Sequence, residues 1–494
     1  MRIIQTADYA EMSHTAAILI LSQMLEKPDY VLGLATGHTP SGLYRELVRT
    51  EQNLGIELDR LHCFHLDEYL GLSPDDPESM ACYLRRHLFE PLGVPAAQRH
   101  YVPAVSADPE AACRAYEAEM ISIGGIDLQI LGIGSNGHIA FNEPGTRFDL
   151  GTHVAKLSES TRAANARYFS AGVTPEAAMT MGPRTIMQAR QILILAAGAS
   201  KARAVCRMLQ EPVSEDCPAS VLRFHPDVTV ILDREAASGL HWPLPHFKPL
   251  PLQVYTNDYD KLGEGETVLI AAPHPDDASI GCGGTLARLK RQGCQLHFVS
   301  MSSGHRADIP DTTFEERVAM RMQEGKSEAE VFASSFTPLN LPFYDHHYMP
   351  ARRDMASLVA LMEQIQPDYV FSTSPRDRHP AHRASALIVQ EALREYRKGP
   401  GRPELWCYEG PWYLFERDDF NTVVTFSPED LDLKLKGVQA HHSQVSRKRY
   451  DLASEALARF RAITVPESRL SSFGSGLQDV GEHIEVFQRL VLEP

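Results

Sequence analysis

The stretch Ala272-Pro273-His274-Pro275-Asp276-Asp277 sets one imidazole and two carboxylates directly after the apolar run Val268–Ala272. Such a run reads as a buried strand, and open α/β sheets carry their chemistry at the C-terminal ends of strands. Asp377-Arg378-His379-Pro380-Ala381-His382 follows a later run of the same kind, Pro367–Thr373. Two histidines three apart at a helix start can face the same way. With His274 and Asp277 they can supply a His-Asp-His metal set. Three protein ligands plus a water is the layout of a catalytic zinc site. A metal held there lowers the pKa of its water and polarises a carbonyl, and Asp276 is left free as a general base. Scattered surface histidines are the plain alternative in a chain with 21 of them. His-Pro-Asp-Asp after a strand, joined to His-x-x-His, favours the metal.

The first half carries a different set. Thr36-Gly37-His38-Thr39-Pro40 links the apolar run Val31–Ala35 to a helix expected from about Ser41 to Arg49. Thr39 can cap that helix and Pro40 suits its first position. A glycine turn feeding a helix start can cradle a phosphate or merely join two elements. Asp67-Glu68 ends the strand Leu61–Leu66 and reads equally as a solvated loop or as a catalytic acid or base. After the strand Ile126–Leu131 comes Gly132-Ile133-Gly134-Ser135-Asn136-Gly137-His138, with Glu143 five residues on. A carboxylate beside a histidine fixes its tautomer and tunes its pKa, which suits general acid–base proton transfer. Lys201 follows the strand Gln191–Ala197 and a glycine. A cation at a helix start opposes the helix dipole, so it either binds an anion or reaches to solvent.

Several elements must position these residues. At 494 residues, 43% hydrophobic and 23% charged, the chain is globular and long enough for two or three cores. Strand-like and helix-like segments alternate throughout, which predicts α/β architecture: two Rossmann-like domains, each a mostly parallel sheet flanked by helices. Four prolines between His241 and Gln253 predict a stiff connector. The expected division is 1–240, a linker 241–265, and 266–494. The net charge of −16, without a long basic run, argues against nucleic acid and anionic membranes. It leaves small anionic substrates open. No signal-peptide layout and no membrane-length apolar run are present. Eight scattered cysteines without a C-x-x-C pair predict reduced, mostly buried thiols and a cytoplasmic setting.

Six islands in order make the first half resemble the glucosamine-6-phosphate deaminase family: LATGHTP, FHLDEYLGL, GIGSNGHIAFNEPG, AMTMGPRTIM, GASKA and PASVLRFHPDVTVILD. The resemblance implies phosphate binding by Thr36, Gly37, Thr39, Arg167 and Lys201. It makes Asp67 the base that moves a proton between C1 and C2, and His138 the ring-opening residue assisted by Glu143 and Asn136. Many members carry Asp where Asn136 stands, so the tuning of His138 rests more on Glu143. The implied reaction yields fructose 6-phosphate and ammonia without a cofactor, in a protein family that is often oligomeric.

The second half resembles the LmbE-like (PIG-L-type) metal-dependent N-deacetylases. The matching stretches are APHPDD…GCGG, the helix with Arg321-Met322-Gln323-Glu324, HPAH, and Lys434…His441-His442-Ser443-Gln444. By that likeness His274, Asp277 and His382 hold Zn2+ or another divalent transition metal. Asp276 is the base, His379 stabilises the oxyanion, and Arg321 contacts substrate. Ala278 and Ala381 stand where the family usually carries acids.

The two resemblances combine into an expectation: a bifunctional amino-sugar enzyme that deacetylates N-acetylglucosamine 6-phosphate and then deaminates the product. Two alternatives stay open here: a deacetylase acting on another N-acetylglucosamine compound, and one half serving as a non-catalytic sugar-phosphate sensor. The expected partners are small amino-sugar phosphates and a second copy of the chain.

Overall fold

The structure, a computed structural model, describes residues 1–493 apart from 55–57, 59, 242–245, 257–259, 397–402 and 466–481. The chain divides into two compact units, Met1–Leu244 and Pro245–Pro494.

In the first unit the strands are β1 (Arg2–Thr6), β2 (Val31–Leu34), β3 (His62–His65), β4 (Asp67–Tyr69), β5 (Arg99–His100), β6 (Leu128–Gly132), β7 (His153–Lys156), β8 (Ala177–Thr180), β9 (Gln191–Ala196) and β10 (Val228–Asp233). Seven of them form a parallel sheet in the order β1-β10-β9-β6-β2-β3-β5. The strands read as near-continuous apolar runs because this sheet is covered: Ile130, Ile194 and Ile231 are all fully buried. From β2 the chain moves to β3 and β5 on one side, whereas β6, β9 and β10 lie on the other. The β2/β6 boundary is therefore a topological switch point, where such sheets bind ligands.

Two local features depart from expectation. The helix after β2 spans His38–Leu54, so it starts three residues before Ser41. Gly37, at φ +103°, makes the turn alone, and Pro40 falls inside the first turn, where its missing N–H is not needed. A small antiparallel sheet, β4-β8-β7, has no counterpart in the sequence pattern; it takes Asp67 into register with Thr180.

The second unit holds β11 (His246–Pro249), β12 (Gln253–Tyr255), β13 (Thr267–Ala272), β14 (Gln295–Ser300), β15 (Ser335–Pro338), β16 (Tyr369–Thr373), β17 (Glu404–Tyr408), β18 (Thr422–Thr425) and β19 (Ile484–Glu493). Strands β15-β14-β13-β16-β17 run parallel, and β19 joins antiparallel to β17, β18 and β11. Part of the expected connector is thus sheet. β11 and β12 pair with β19 and β18, and Pro249 is tolerated because β11 is an edge strand. Pro243 and Pro245 lie outside the described residues.

The segment 281–284, with three glycines in four residues, reads as a turn in sequence yet lies within a helix, Asp277–Arg291. The helix kinks at Cys282 (φ −139°), and Glu485 accepts the freed N–H groups of Gly284 and Thr285 at 3.0 and 2.7 Å. The glycines serve packing: a Cβ on Gly284 would lie 2.5 Å from the Phe426 ring. Ala278 and Ala381 are fully buried, so an acid at either place would need a partner in the core. All eight cysteines are unpaired and seven are buried. Among the described residues no helix is long and apolar enough to cross a membrane.

Candidate functional site

In the first unit every expected residue follows a strand of the main sheet or lies close to one that does. Asp67 and Glu68 are both buried, which removes the solvated-loop reading. Glu68 braces the local backbone, its carboxylate accepting the N–H groups of Tyr69, Met80 and Ala81. Asp67 accepts no hydrogen bond among the described residues. Burial, and then the neighbouring Glu68 charge, push its pKa up to about 8. A carboxyl group poised there can both take and return a proton near neutrality.

His138 stands on the loop after β6. Gly134 makes room for it, since a Cβ there would lie 2.3 Å from the imidazole Cε1. The ring's Nδ1 is buried without a hydrogen bond, 3.7 Å from Glu143 Oε2, too long for a direct bond. Glu143 is held from three sides. Asn136 donates its amide to Oε2 at 2.9 Å, and the Ser158 and Thr161 hydroxyls donate to Oε1. Burial would raise its pKa; the His138 ring, the Thr161 hydroxyl and the Asn136 amide outweigh it and bring it to about 2. Asn136 also accepts the His138 backbone N–H at 3.1 Å, so it fixes both partners. Ser158 and Thr161 open the helix Glu159–Asn165, with Ser158 as its cap. Neither stands out in the sequence, because a capping serine looks alike at any helix.

Lys201 follows β9 by way of Gly198, and its ammonium pKa is lowered by burial and then by the positive charge of Arg167. Two cations are thus held within reach of one another, an arrangement an anion would relieve. Arg167 is exposed and lies over the Tyr168 ring. Thr36, Gly37 and Thr39 offer the start of the His38–Leu54 helix after β2, on the same C-terminal edge of the sheet.

In the second unit β13 leads to β14 on one side while β16 lies on the other, so the 274–277 and 377–382 segments leave neighbouring strands at a switch point. The three imidazoles of His274, His379 and His382 each bring a nitrogen within 4.8 Å of the others. Asp277 Oδ2 lies 3.0 Å from His274 Nδ1 and 3.3 Å from His382 Nε2. Two ligands about 2.0–2.1 Å from a tetrahedral zinc are roughly 3.3 Å apart. His382 Nε2 is buried without a hydrogen bond, while its Nδ1 sits 3.0 Å from Asp377 Oδ2. A carboxylate behind a ligand histidine fixes the ring and leaves the other nitrogen for metal. His274, Asp277 and His382 therefore fit a divalent metal. Burial would raise the Asp277 pKa, but His382 and His274 hold it well below the usual range. Asp377 escapes the sequence reading; an acid two residues before His-x-x-His is the signal that marks it.

His379 is pushed down to about 4 by burial and by the charges of His382 and His274. Asp276 is buried, yet Arg321 at 2.6 Å holds its pKa low against that burial. Arg321, expected against substrate, is itself buried and shared between Asp276 and Glu324. Glu324 in turn accepts the N–H and hydroxyl of Ser443, each at 2.7 Å. The Lys434…Gln444 stretch thus ends by bracing Asp276. Tyr344 and Trp412 flank the cluster, packing edge-on against His274 and His382 respectively.

Residues 269–393 match the family described as GlcNAc-PI de-N-acetylase, and residues 7–231 match glucosamine-6-phosphate isomerases/6-phosphogluconolactonase. The chain is 51% identical over 239 residues to glucosamine-6-phosphate deaminase of Geobacillus sp. (strain WCH70), covering 48% of this chain and 95% of that protein. It is 49% identical over 240 residues to glucosamine-6-phosphate deaminase 1 of Bacillus subtilis (strain 168), covering 48% and 99%. A solved monomeric glucosamine-6-phosphate deaminase is 46% identical, with 49% of this chain and all of that chain covered and a TM-score of 0.48. The N,N'-diacetylchitobiose deacetylase of Pyrococcus horikoshii is 22% identical, with 45% and 83% covered and a TM-score of 0.37. Through its N-terminal half, the chain belongs to the glucosamine-6-phosphate isomerase/6-phosphogluconolactonase family.

Proposed function

We propose that this chain is a bifunctional amino-sugar enzyme. The second unit removes acetate from N-acetylglucosamine 6-phosphate, and the first converts glucosamine 6-phosphate to fructose 6-phosphate and ammonia. The observation that carries this reading is the convergence of His274, Asp277 and His382 beside Asp276, on the same chain as Asp67 and the His138–Glu143 pair. One set exposes a 2-amine and the other consumes it.

In the first unit, Lys201, Arg167 and the helix start at Thr36–Thr39 hold the phosphate. His138, oriented by Glu143 and Asn136, moves the proton between the ring oxygen and O1 as the sugar opens. Asp67 then takes the proton from C2 and returns one to C1. The 2-amino aldose becomes a 2-imino ketose, which water hydrolyses to the ketose phosphate and ammonia.

In the second unit, a divalent metal on His274, Asp277 and His382 would supply Lewis-acid polarisation of the acetamide carbonyl and a more acidic water. Asp276, kept ionised by Arg321, takes the proton of the attacking water. His379 donates to the oxyanion of the tetrahedral intermediate. Collapse breaks the C–N bond, and the amine leaves with the proton Asp276 returns.

The test is a pair of variants in the full chain. Asp67→Asn stops ammonia release from glucosamine 6-phosphate and spares acetate release from the acetylated sugar; Asp276→Asn does the reverse. Loss of both activities in either variant contradicts two separable sites.

A further inference from the structure

Beside the histidine cluster of the second unit lies a pocket of about 380 Å³ whose walls include Arg376, Arg378, Trp412, Tyr413, Glu416 and Asp419. That volume suits a small molecule. The Trp412 indole belongs to both places: its ring lies 5.0 Å from that of His382 and 5.9 Å from that of His379. Tyr450 packs on the same indole at 5.8 Å. A ligand with its amide at the histidines can therefore lay its remainder along Trp412 and into the pocket.

The four charges of the lining cancel in number, so selectivity depends on which are already paired. Asp419 accepts Arg376 at 2.6 Å, the Glu416 backbone N–H at 3.0 Å and the Tyr413 hydroxyl at 3.3 Å. Its charge is matched by Arg376. The Glu416 carboxylate is exposed and unmatched among the described residues, and Arg378 is likewise exposed, its side chain making no ion pair or hydrogen bond among them. It directly precedes His379 in the chain. A guanidinium fork can give two parallel bonds to a phosphate, a geometry that a point charge does not impose. On a chain of net charge −16, such a local cation is what an anion needs in order to dock.

We propose that this pocket is the subsite for the phosphate of an acetylated amino-sugar phosphate, with Trp412 against the sugar and Arg378 on the phosphate. This rests on the deacetylase reading above and adds to it the basis for preferring a phosphorylated sugar.

The experiment measures acetate release by the zinc-loaded full chain from N-acetylglucosamine 6-phosphate and from N-acetylglucosamine. The quantity read is the ratio of the two kcat/KM values. In Arg378→Gln the ratio falls by about 10- to 100-fold, the loss of one or two charge-assisted hydrogen bonds, and in Arg378→Glu it falls further. Acetate from both sugars with the ratio unchanged in both variants overturns the subsite and leaves the deacetylase reading standing. A fall in Arg306→Gln but not in Arg378→Gln moves the phosphate to the Tyr344 side, where Arg306 lies over that ring at 5.2 Å, and also overturns it. No acetate from either sugar in the parent protein overturns the deacetylase reading and the subsite with it.

Discussion

Replacing Asp67 by Asn should stabilise the first unit while removing the base proposed for its proton transfer. Burial raises the Asp67 pKa from 3.8 to about 8. Between those values the folded chain holds a proton that the unfolded chain has released. The unfolding free energy then falls as pH rises, by about 1.4 kcal/mol per pH unit. The group's full stability is present below the unfolded pKa and is lost as pH climbs through the folded one. Asn has a similar shape and does not titrate, so the variant escapes this loss. The gap between variant and parent should widen by about 3–4 kcal/mol from pH 5 to pH 8, then level off. For a unit of this size that corresponds to roughly 10 °C in the midpoint. Scanning calorimetry on both proteins at pH 5, 6, 7 and 8 reads the gap directly. Ammonia release should fall by about 10²- to 10⁴-fold in the variant. In the parent, kcat/KM should rise with pH up to about 8 as the carboxylate forms. A gap that stays constant across pH would refute the claim that the fold holds Asp67 protonated.

Other perturbations test the neighbouring structure. Gly134→Ala should push the His138 ring aside and lower ammonia release about 100-fold, the cost of misplacing a catalytic group by an ångström; an unchanged rate would mean the loop yields freely. Asp377→Asn should weaken zinc binding about 10- to 100-fold, read by chelator competition, because His382 loses its supporting carboxylate. Equal zinc affinity in variant and parent would contradict that role. Lys434→Met leaves the buried Glu485 charge without the ammonium now 2.6 Å away. It should destabilise the second unit by about 3–5 kcal/mol, with partial recovery when Glu485→Gln is added. Denaturant melts of the single and double variants check this.

Much of the α/β order is legible in the sequence because buried parallel strands are short apolar runs with glycine, histidine or acid at their ends. β14 is legible to the residue, since both of its boundaries are polar. The helix at Asp277–Arg291 is not, because Gly281–Gly284 looks like a turn in sequence. What keeps it helical is Glu485, some two hundred positions on, together with the close approach of Phe426. The β4-β8-β7 sheet escapes for a similar reason: three- and four-residue strands carry too little periodicity to signal pairing. For the sites, the groups proposed for chemistry are marked by unusual residue types at strand ends. Their supports are not. Ser158, Thr161 and Ser443 are ordinary residues whose work depends on distant partners, and only the folded distances reveal what they hold; Asp377 is marked by nothing more than its place two residues before His-x-x-His. Arg321 illustrates the limit, since its helix is recognisable in sequence but its direction, inward to Asp276, is not.

The most direct test of two reactions in series is to incubate the purified full chain with N-acetylglucosamine 6-phosphate, with and without a chelator. Acetate, ammonia and fructose 6-phosphate are then measured together. The account predicts all three products when zinc is present, and with the metal stripped it predicts loss of acetate while ammonia still forms from added glucosamine 6-phosphate. Ammonia from glucosamine 6-phosphate but no acetate from the acetylated sugar, even with added zinc, would contradict it.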